Sequence, residues 1–262
     1  MDLGLKGKNA LVCGSTAGIG KATALLMAKE GANVILLARN ENKLKATLAE
    51  LDTDTGQMHA MLAADFDNPQ YVNAVVTEFL KKNGPVHILV NNSGGPAGGP
   101  ILQADVSEFE TALTRHLKCN HLLAQAIIPG MKEANYGRII NIISTSVKEP
   151  IPGLGVSNTT RWAVASWAKT LSNEVAESGI TVNNVLPGAT ATARLSSLIE
   201  ARAKKGGHSI TEEENSWKNA IPMGRFANPG ETANAIVFLA SEPASYINGV
   251  SLAVDGGRLN SM

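Results

Sequence analysis

Short apolar segments alternate with longer stretches of helical periodicity along most of this 262-residue chain. An apolar run of about four to eight residues is typical of a strand that is buried on both faces of a parallel sheet. Helices cover both faces of such a sheet when strands and helices alternate. The pattern predicts seven strands: Ala10–Cys13, Val34–Ala38, Met58–Ala63, Ile88–Asn91, Arg138–Ile143, Thr181–Leu186 and Ser251–Val254.

The segment after the first strand illustrates the helical pattern. Within Ile19–Glu30, the side chains of Ala22, Leu25 and Leu26 fall on one apolar face, whereas Lys29 falls outside it. The length of the chain suits one large domain better than two domains joined by a linker. We therefore predict an α/β fold with a doubly wound, Rossmann-like parallel sheet, as a single domain that spans residues 1–262.

Residues 193–220 depart from this alternation. The segment Ala193–Ala220 is rich in charged residues and contains the pair Gly206 and Gly207, which suits a hinge. Loops and lids above the carboxyl ends of parallel strands commonly close over a ligand. We predict a mobile lid here; an ordinary exposed helical hairpin is the alternative.

The charge balance restricts the possible partners. Lysine plus arginine and aspartate plus glutamate number 23 each, so no net charge attracts the chain to nucleic acid or to an anionic membrane. Small molecules and copies of the chain itself are the expected partners. No segment has the apolar length of a signal peptide or membrane span, which favours a cytoplasmic protein. Cys13 and Cys119 lack metal-binding spacing, so we expect no metal site.

Three glycines mark a candidate phosphate site. Gly14, Gly18 and Gly20 directly follow the first predicted strand and open the first predicted helix. In that context the backbone N–H groups at the helix start, including that of Ile19, and the helix dipole bind a pyrophosphate. The sequence therefore predicts a dinucleotide site at the end of this strand.

These glycines and the Asn91–Gly94 segment, which follows another apolar strand, resemble the short-chain dehydrogenase/reductase family. The resemblance covers nearly the whole chain, because further family motifs occur in the expected order. It implies a Rossmann-like fold and a nicotinamide cofactor. The residues that match the family's cofactor-contacting positions are Gly14, Gly18, Ile19, Gly20, Asp65, Asn91, Ser93 (in place of alanine), Gly94, Pro187, Gly188 and Thr192, and the late Asp255–Gly257 also fits.

The end of the second strand indicates which cofactor is used. An NAD-selective site needs a carboxylate for the ribose 2′-hydroxyl, which Ala38 cannot provide. Arg39 suits a 2′-phosphate, and Ser15 and Asn40 are expected to add hydrogen bonds. We predict that NADP(H) is favoured over NAD(H). A solvated Arg39 is the alternative, and Ala17 stands where some NADP-selective relatives carry a second basic residue.

The resemblance also implies a catalytic segment. In the family a serine is followed 13 residues later by a tyrosine and, four residues after that, by a lysine; counting from Ser144 leads to Ser157 and Arg161. The family's tyrosine donates a proton, and its lysine lowers the pKa of that tyrosine. A serine hydroxyl is a much weaker acid and arginine stays charged, so the usual relay is absent. Arg161 is expected to hold the ribose hydroxyls and to stabilise a developing alkoxide.

Another group must then supply the proton. The family's asparagine position falls on His116, or on Asn120 if the alignment slips by one turn. His116 is the first candidate, because an imidazole donates a proton near neutral pH. Lys148 is a second candidate, and Ser157 is able only to pass a proton on.

The chain resembles a divergent branch among the oxoacyl-carrier-protein reductases. We expect an NADP(H)-dependent oxidoreductase that acts on a carbonyl or secondary alcohol, with 3-oxoacyl thioesters among the possible substrates. A catalytically inactive NADP(H)-binding sensor or partner subunit is the alternative. The family resemblance also implies a homo-oligomer, a tetramer or dimer, through segments such as Arg161–Ala168 and Leu252–Met262.

Overall fold

The structure is a computed structural model that describes residues 1–261. Its seven strands form one parallel sheet in the order β3-β2-β1-β4-β5-β6-β7. The strands are β1 (Asn9–Cys13), β2 (Asn33–Ala38), β3 (Ala60–Ala63), β4 (Ile88–Asn91), β5 (Gly137–Ile142), β6 (Ile180–Pro187) and β7 (Ser251–Val254).

Helices lie between the strands along the chain. The α-helices of the described chain are α1 (Gly18–Lys29), α2 (Glu41–Leu48), α3 (Pro69–Asn83), α4 (Val106–Leu113), α5 (Cys119–Glu133), α6 (Gly155–Val175), α7 (Ala193–Gly206), α8 (Ile210–Asn219) and α9 (Pro229–Leu239). A π-helical turn, Thr114–Lys118, joins α4 to α5. No helix in the described residues is long and apolar enough to cross a membrane.

The predicted fold class and all seven predicted strands are confirmed, with boundary shifts of one or two residues. The largest shift is at β3, which begins at Ala60 rather than Met58. The N–H of Met58 donates to the side chain of Asn33 at 2.8 Å, and His59 Nδ1 accepts from the N–H of Val34 at 3.0 Å. Side chains therefore occupy the hydrogen-bonding groups that would extend this ladder.

Alternation along the buried strands divides the core between the two faces of the sheet. On one face Val12 and Val90 pack with Met27 of α1 and Ile236 of α9. The residues that alternate with them along the same strands pack on the other face, against α3, α5 and α6. Leu89, for example, packs with Val76, Leu123 and Ala168. Both cysteines are buried core residues. Helices on both sides thus bury β1 and β4, whose ends build the site.

The strand order reverses beside β1, which pairs with β2 on one side and β4 on the other. The chain crosses over in opposite directions on the two sides of this point, so a crevice opens outside the carboxyl ends of β1 and β4. Gly14 follows β1 and Asn92 follows β4. The fold itself therefore opens the crevice at the predicted glycine turn.

Residues 193–220 form a helical hairpin of α7 and α8, which was the alternative interpretation of this segment. Gly207, with a φ of 70°, ends α7. The hairpin has its own small core, in which Leu195 and Ile199 pack with Ile221 and Trp217. Arg194 and Arg202 of α7 each donate to a backbone carbonyl of a neighbouring loop, that of Pro96 and that of Pro152. Leu195, Leu198 and Trp217 of the hairpin line the crevice, and closure of the hairpin as a mobile lid stays a prediction.

Candidate active site

The glycine turn packs the start of α1 closely against the end of β1 and the side chain of Asn92. A Cβ on Gly20 would lie 2.3 Å from the carbonyl oxygen of Gly14 and 2.7 Å from Nδ2 of Asn92. Gly14 has a φ of +58°, in the left-handed region that favours glycine. The amide of Asn92 donates to the carbonyl oxygens of Cys13 and Gly14, at 3.3 and 3.4 Å. Only glycine therefore fits at the first and third positions of the motif without displacement.

The start of α1 is left open for an anion. Ala17 at the N-cap provides no side-chain hydrogen bond, and the first turn holds no acidic residue. The first N–H groups of a helix have no partner within the helix, and its dipole favours negative charge there. The methyl group of Thr192 lies only 3.0 Å from the position of a Cβ on Gly18. This cradle fits the pyrophosphate of a dinucleotide, held by backbone amides.

A cleft with a volume of about 430 Å³ extends from this cradle. It contains most of the residues predicted for cofactor binding and catalysis. Its apolar part is formed by Ile151 and Leu154 and, from the hairpin, by Leu195, Leu198 and Trp217. The predicted site residues that line the cleft are Gly14, Gly18, Ile19, Ser93, Gly94, Ser144, Ser157, Arg161, Pro187, Gly188 and Thr192.

Two predicted cofactor residues lie outside this cleft, beyond the ends of β2 and β3. Arg39 is exposed and Asp65 is partly buried, and Arg39 Nη1 lies 3.9 Å from Asp65 Oδ2. A solvent-accessible pair at this distance contributes little free energy, so the guanidinium is available to a phosphate. Asn40 caps α2, where its side-chain oxygen accepts from the N–H of Lys43 at 2.9 Å.

The predicted hydrogen bond of Ser15 to a 2′-phosphate stays a prediction. Ser15 is fully buried, its hydroxyl has no hydrogen-bond partner among the described residues, and it does not line the cleft.

Asn91 also differs from expectation, because its side chain does not line the cleft. It is the first member of a buried chain of hydrogen bonds across four neighbouring strands. Asn91 Nδ2 donates to Asn141 Oδ1 at 2.9 Å, Asn141 Nδ2 to Asn184 Oδ1 at 3.0 Å, and Asn184 Nδ2 to Ser251 Oγ at 3.2 Å. These bonds join β4, β5, β6 and β7, from the last residue of β4 to the first residue of β7, and Asn91 positions the strand that leads to Ser93 and Gly94.

Ser144 and Ser157 reach the cleft from opposite ends of one loop. Ser144 follows β5, and its Oγ accepts from the N–H of Ser146 at 3.1 Å. Trp162 Nε1 donates to the carbonyl of Ser146 at 3.0 Å and so ties this turn to α6. Ser157 lies in the first turn of α6, and the neighbouring Asn158 donates to the carbonyl of Ile151 at 3.0 Å. Both hydroxyls are thus held on rigid elements.

Arg161 lies one turn beyond Ser157 and is 91% buried, with 9% of its surface exposed. Its Nη1 donates to the carbonyl of Ile142 at 3.1 Å, and its Nε has no partner among the described residues. Burial, and then the charge of Arg194, lower the pKa of Arg161 to about 10. Arg161 is therefore a positive charge at neutral pH, in a setting where water screens it little.

His116 lies beneath the cleft, on the π-helical turn. It is 3% exposed, and its Nδ1 lies 2.6 Å from Ser93 Oγ and 3.3 Å from Arg161 Nη1. A guanidinium only donates, which assigns Nδ1 as an acceptor and the imidazole as neutral, with its proton on Nε2. Burial, and then the charge of Arg161, lower the pKa of His116 well below 6.5.

The expectation that His116 donates a proton near neutral pH is therefore wrong. The imidazole carries no acidic proton in that range and does not line the cleft. Asn120, the alternative position, is also buried. It lines, together with His116, a small pocket beneath the cleft. Lys148, the second candidate donor, is exposed and does not line the cleft.

The buried His116 predicts how stability depends on pH. Below about pH 6.5 an unfolded histidine binds a proton that the folded His116 does not bind. The free energy of unfolding therefore decreases as the pH is lowered, by at most about 1.4 kcal/mol for each pH unit. Above that value both states are neutral and the effect disappears. In urea titrations at pH 7 and 5, we expect His116→Asn to lose less stability on acidification than the wild type does. Substitution of the exposed His208 by asparagine should leave the loss of stability between pH 7 and pH 5 as it is in the wild type. If His116→Asn also shows the wild-type loss, the assignment of His116 as a neutral imidazole is contradicted.

The cleft contains two arginines that the sequence analysis did not single out. Arg194 of α7 and Arg258 near the C-terminus line it together with Arg161. Arg194 comes two residues after Thr192, which was predicted to contact the cofactor. This proximity is the one local signal in the sequence that Arg194 lies near the cofactor. The exposed Trp162 was also missed as the residue that fixes the turn after Ser144.

Comparison with known proteins agrees with the geometry of the site. The profile of the family described as enoyl-(acyl carrier protein) reductase matches residues 14–258. The 3-oxoacyl-[acyl-carrier-protein] reductase FabG of Vibrio cholerae is 34% identical over 257 residues, which cover 97% of this chain and 98% of that protein.

Two solved structures extend the comparison. L-sorbose reductase from Gluconobacter frateurii, complexed with NADPH and L-sorbose, is 33% identical, with a TM-score of 0.93 over the full length of both chains. A variant of actinorhodin polyketide ketoreductase with NADPH is 31% identical, with a TM-score of 0.89 over 97% of this chain and 98% of that one. The chain therefore belongs to the short-chain dehydrogenase/reductase family.

Proposed function

We propose that this protein is an NADPH-dependent reductase of a carbonyl group, with an active site built on Ser144, Ser157 and Arg161. The observation that carries the proposal is the arrangement of two serine hydroxyls and a buried guanidinium in one cleft, next to the phosphate cradle. Membership of an oxidoreductase family and the NADPH-bound structures of two relatives support it. The reaction is carbonyl plus NADPH plus a proton, giving an alcohol and NADP⁺.

When bound, the cofactor supplies the hydride that reduces the carbonyl carbon. Ser144 donates a hydrogen bond to the carbonyl oxygen, because its Oγ accepts from the N–H of Ser146 and its hydroxyl proton remains available to the ligand. Arg161 stabilises the negative charge that develops on that oxygen, where a fixed charge in a desolvated site acts most strongly. Ser157 passes a proton from solvent to the oxygen, since its hydroxyl both donates and accepts.

The runner-up is a cofactor-binding protein without turnover. It is favoured by the absence of a phenol from the cleft: all three tyrosines lie elsewhere, Tyr71 and Tyr246 exposed and Tyr136 bonded to the carbonyl of Ala240. The covered, partly apolar cleft argues against it, because a pure cofactor sensor needs no room for a second molecule. Oxidation of NADPH with a panel of ketones, aldehydes, oxo acids and oxo thioesters decides between the two functions. NADPH binding without any oxidation would establish the runner-up.

Selectivity for NADPH is proposed to depend on Arg39, which follows the small, buried Ala38 at the end of β2. A charge-assisted hydrogen bond contributes roughly 1.5–3 kcal/mol. We expect Arg39→Ala to weaken NADPH binding by about 10- to 100-fold and to leave NADH binding nearly unchanged, as measured by calorimetric titration of each. Lys43→Ala, which removes an exposed cation of the nearby helix α2, serves as a charge-matched control. Equal affinities of the wild type for the two cofactors would contradict the proposal.

Self-association as a tetramer or dimer stays a prediction. The exposed side chains of Trp162 on α6 and of Leu252 on the edge strand β7 are consistent with contacts between copies. Met262, at the end of the second predicted segment, lies outside the described residues.

A further inference from the structure

The charged residues that line the cleft are all cationic. Arg161, Arg194 and Arg258 contribute to its wall, and no aspartate or glutamate among the described residues does so. Structural arginines at partly buried positions are normally paired with a carboxylate. The absence of a carboxylate from this wall indicates that the counter-charge comes with a ligand.

Two of these guanidinium groups converge on one place. Nη2 of Arg161 and Nη2 of Arg194 each lie 3.6 Å from the position that a Cβ on Gly95 would occupy. Arg161 is held there from α6 and Arg194 from α7, so two rigid helices impose the approach of two like charges. The mutual repulsion contributes to the lowered pKa of Arg161, after burial. Such an arrangement is unfavourable until an anion binds between the charges.

Donors remain available for that anion. The structure gives Arg161 protein partners at Nη1 alone, and its Nε is buried without a partner among the described residues. Arg194 donates to the carbonyl of Pro96, which holds the side chain in place but does not neutralise its charge. A guanidinium offers paired N–H groups in a plane, which match the two oxygens of a carboxylate. The uncharged remainder of the cleft, with Leu154 and Leu198, suits a short apolar body.

We propose that the substrate is an oxo acid, whose carboxylate is bound by Arg161 and Arg194 while Ser144 polarises its carbonyl. The inference rests on the proposed reductase function and names the substrate class of the same site. The carboxylate is unchanged by the reaction: hydride adds to the carbonyl carbon, a proton adds to its oxygen, and a hydroxy acid leaves.

The first test compares each acid with its uncharged counterpart. The probes are pyruvate, acetoacetate and 4-oxopentanoate, each with its methyl ester, together with acetoacetyl-coenzyme A as a thioester. We expect kcat/KM for the best acid to exceed that for its ester by at least about 50-fold, the range of a charge-assisted pair of hydrogen bonds. An ester or the thioester that equals or exceeds every acid would overturn the proposal.

The second test assigns the effect to Arg194. Arg194→Gln should lower kcat/KM for the best acid by about 10- to 100-fold, with a much smaller loss for its ester, and Arg194→Lys should recover part of the loss. Lys204→Gln is the control, because Lys204 is an exposed cation on the same helix and does not line the cleft. It should change neither value.

Equilibrium binding separates the possible sources of the anion. Calorimetry should show that Arg194→Gln weakens binding of the best acid to the NADP⁺-loaded protein and has little effect on NADPH binding to the free protein. If NADPH binding weakens and the preference for acid over ester is unchanged, Arg194 serves the pyrophosphate and the proposal is wrong. If the loaded protein binds acids in an Arg194-dependent way but reduces none, the anion site stands and the proposed reductase function fails. Absence of both binding and reduction of every acid overturns the inference.

Discussion

Replacing Arg161 with methionine is expected to lower kcat for carbonyl reduction by about 10²- to 10³-fold, the usual cost of removing one donor that stabilises a developing oxyanion. The guanidinium is 91% buried and charged at neutral pH, and the cleft offers no tyrosine to share its role. Methionine is unbranched and fills the space of the aliphatic stem of the arginine. The loss therefore reports the missing charge rather than a cavity, and it should appear in kcat more strongly than in the KM for NADPH.

A second variant and a stability measurement test whether the loss of kcat is due to the missing charge. Arg161→Lys keeps a positive charge but loses the planar, forked set of N–H donors, so we expect it to retain more activity than methionine does. Thermal unfolding should show that Arg161→Met folds, because exchange of a buried charge for an apolar group of similar volume is often tolerated. The carbonyl of Ile142 and Nδ1 of His116 lose a donor, at a cost of about 1–3 kcal/mol. A folded Arg161→Met protein with kcat within about threefold of wild type would exclude a catalytic role for the guanidinium.

Most of the fold was predictable because the strands are buried on both faces. Runs such as Val34–Ala38 are apolar without alternation, so each is recognisable from the local sequence alone. The boundary error at Met58 arose because the polar side chains of Asn33 and His59 capture backbone groups across neighbouring strands. Such captures depend on which strands are adjacent in the sheet, and that adjacency is not a local property.

The site was predictable only where its parts are close in sequence. The glycine turn is one continuous segment, and its role follows from the strand before it and the helix after it. The chain from Asn91 through Asn141 and Asn184 to Ser251 connects residues that are distant in sequence, so it depends on the register of four strands. A single sequence carries no signal for that register.

Burial explains the error at His116. The helical pattern alone left the residue available as an acid, whereas the π-helical turn directs it beneath the cleft, against Ser93 and Arg161. The pKa of a histidine depends on desolvation and on neighbouring charges, which are both tertiary properties. The same reasoning applies to Arg194, whose importance comes from its proximity to Arg161 rather than from its own sequence context.

Substitution of Gly20 by alanine is expected to destabilise the fold and to abolish tight cofactor binding. The new Cβ would lie 2.3 Å from the carbonyl oxygen of Gly14, so the turn or the start of α1 must shift. Overpacking of this kind costs about 1–3 kcal/mol, which exceeds the gain of about 1 kcal/mol from the higher helix propensity of alanine. Since the same shift displaces the N–H groups that form the phosphate cradle, we expect NADPH affinity to fall by about 100-fold.

Gly230→Ala provides the matched control for this prediction. Gly230 also lies in the first turn of a helix, α9, but a Cβ there meets nothing within 4 Å. With no clash to oppose it, the loss of backbone freedom in the unfolded chain should leave stability unchanged or raise it by up to about 1 kcal/mol. NADPH titration and urea unfolding of both variants measure the two effects separately. Because the clash moves the turn and the helix start together, Gly20→Ala should lose affinity and stability in the same variant. A Gly20→Ala protein with wild-type NADPH affinity would show that the cradle is not the cofactor site.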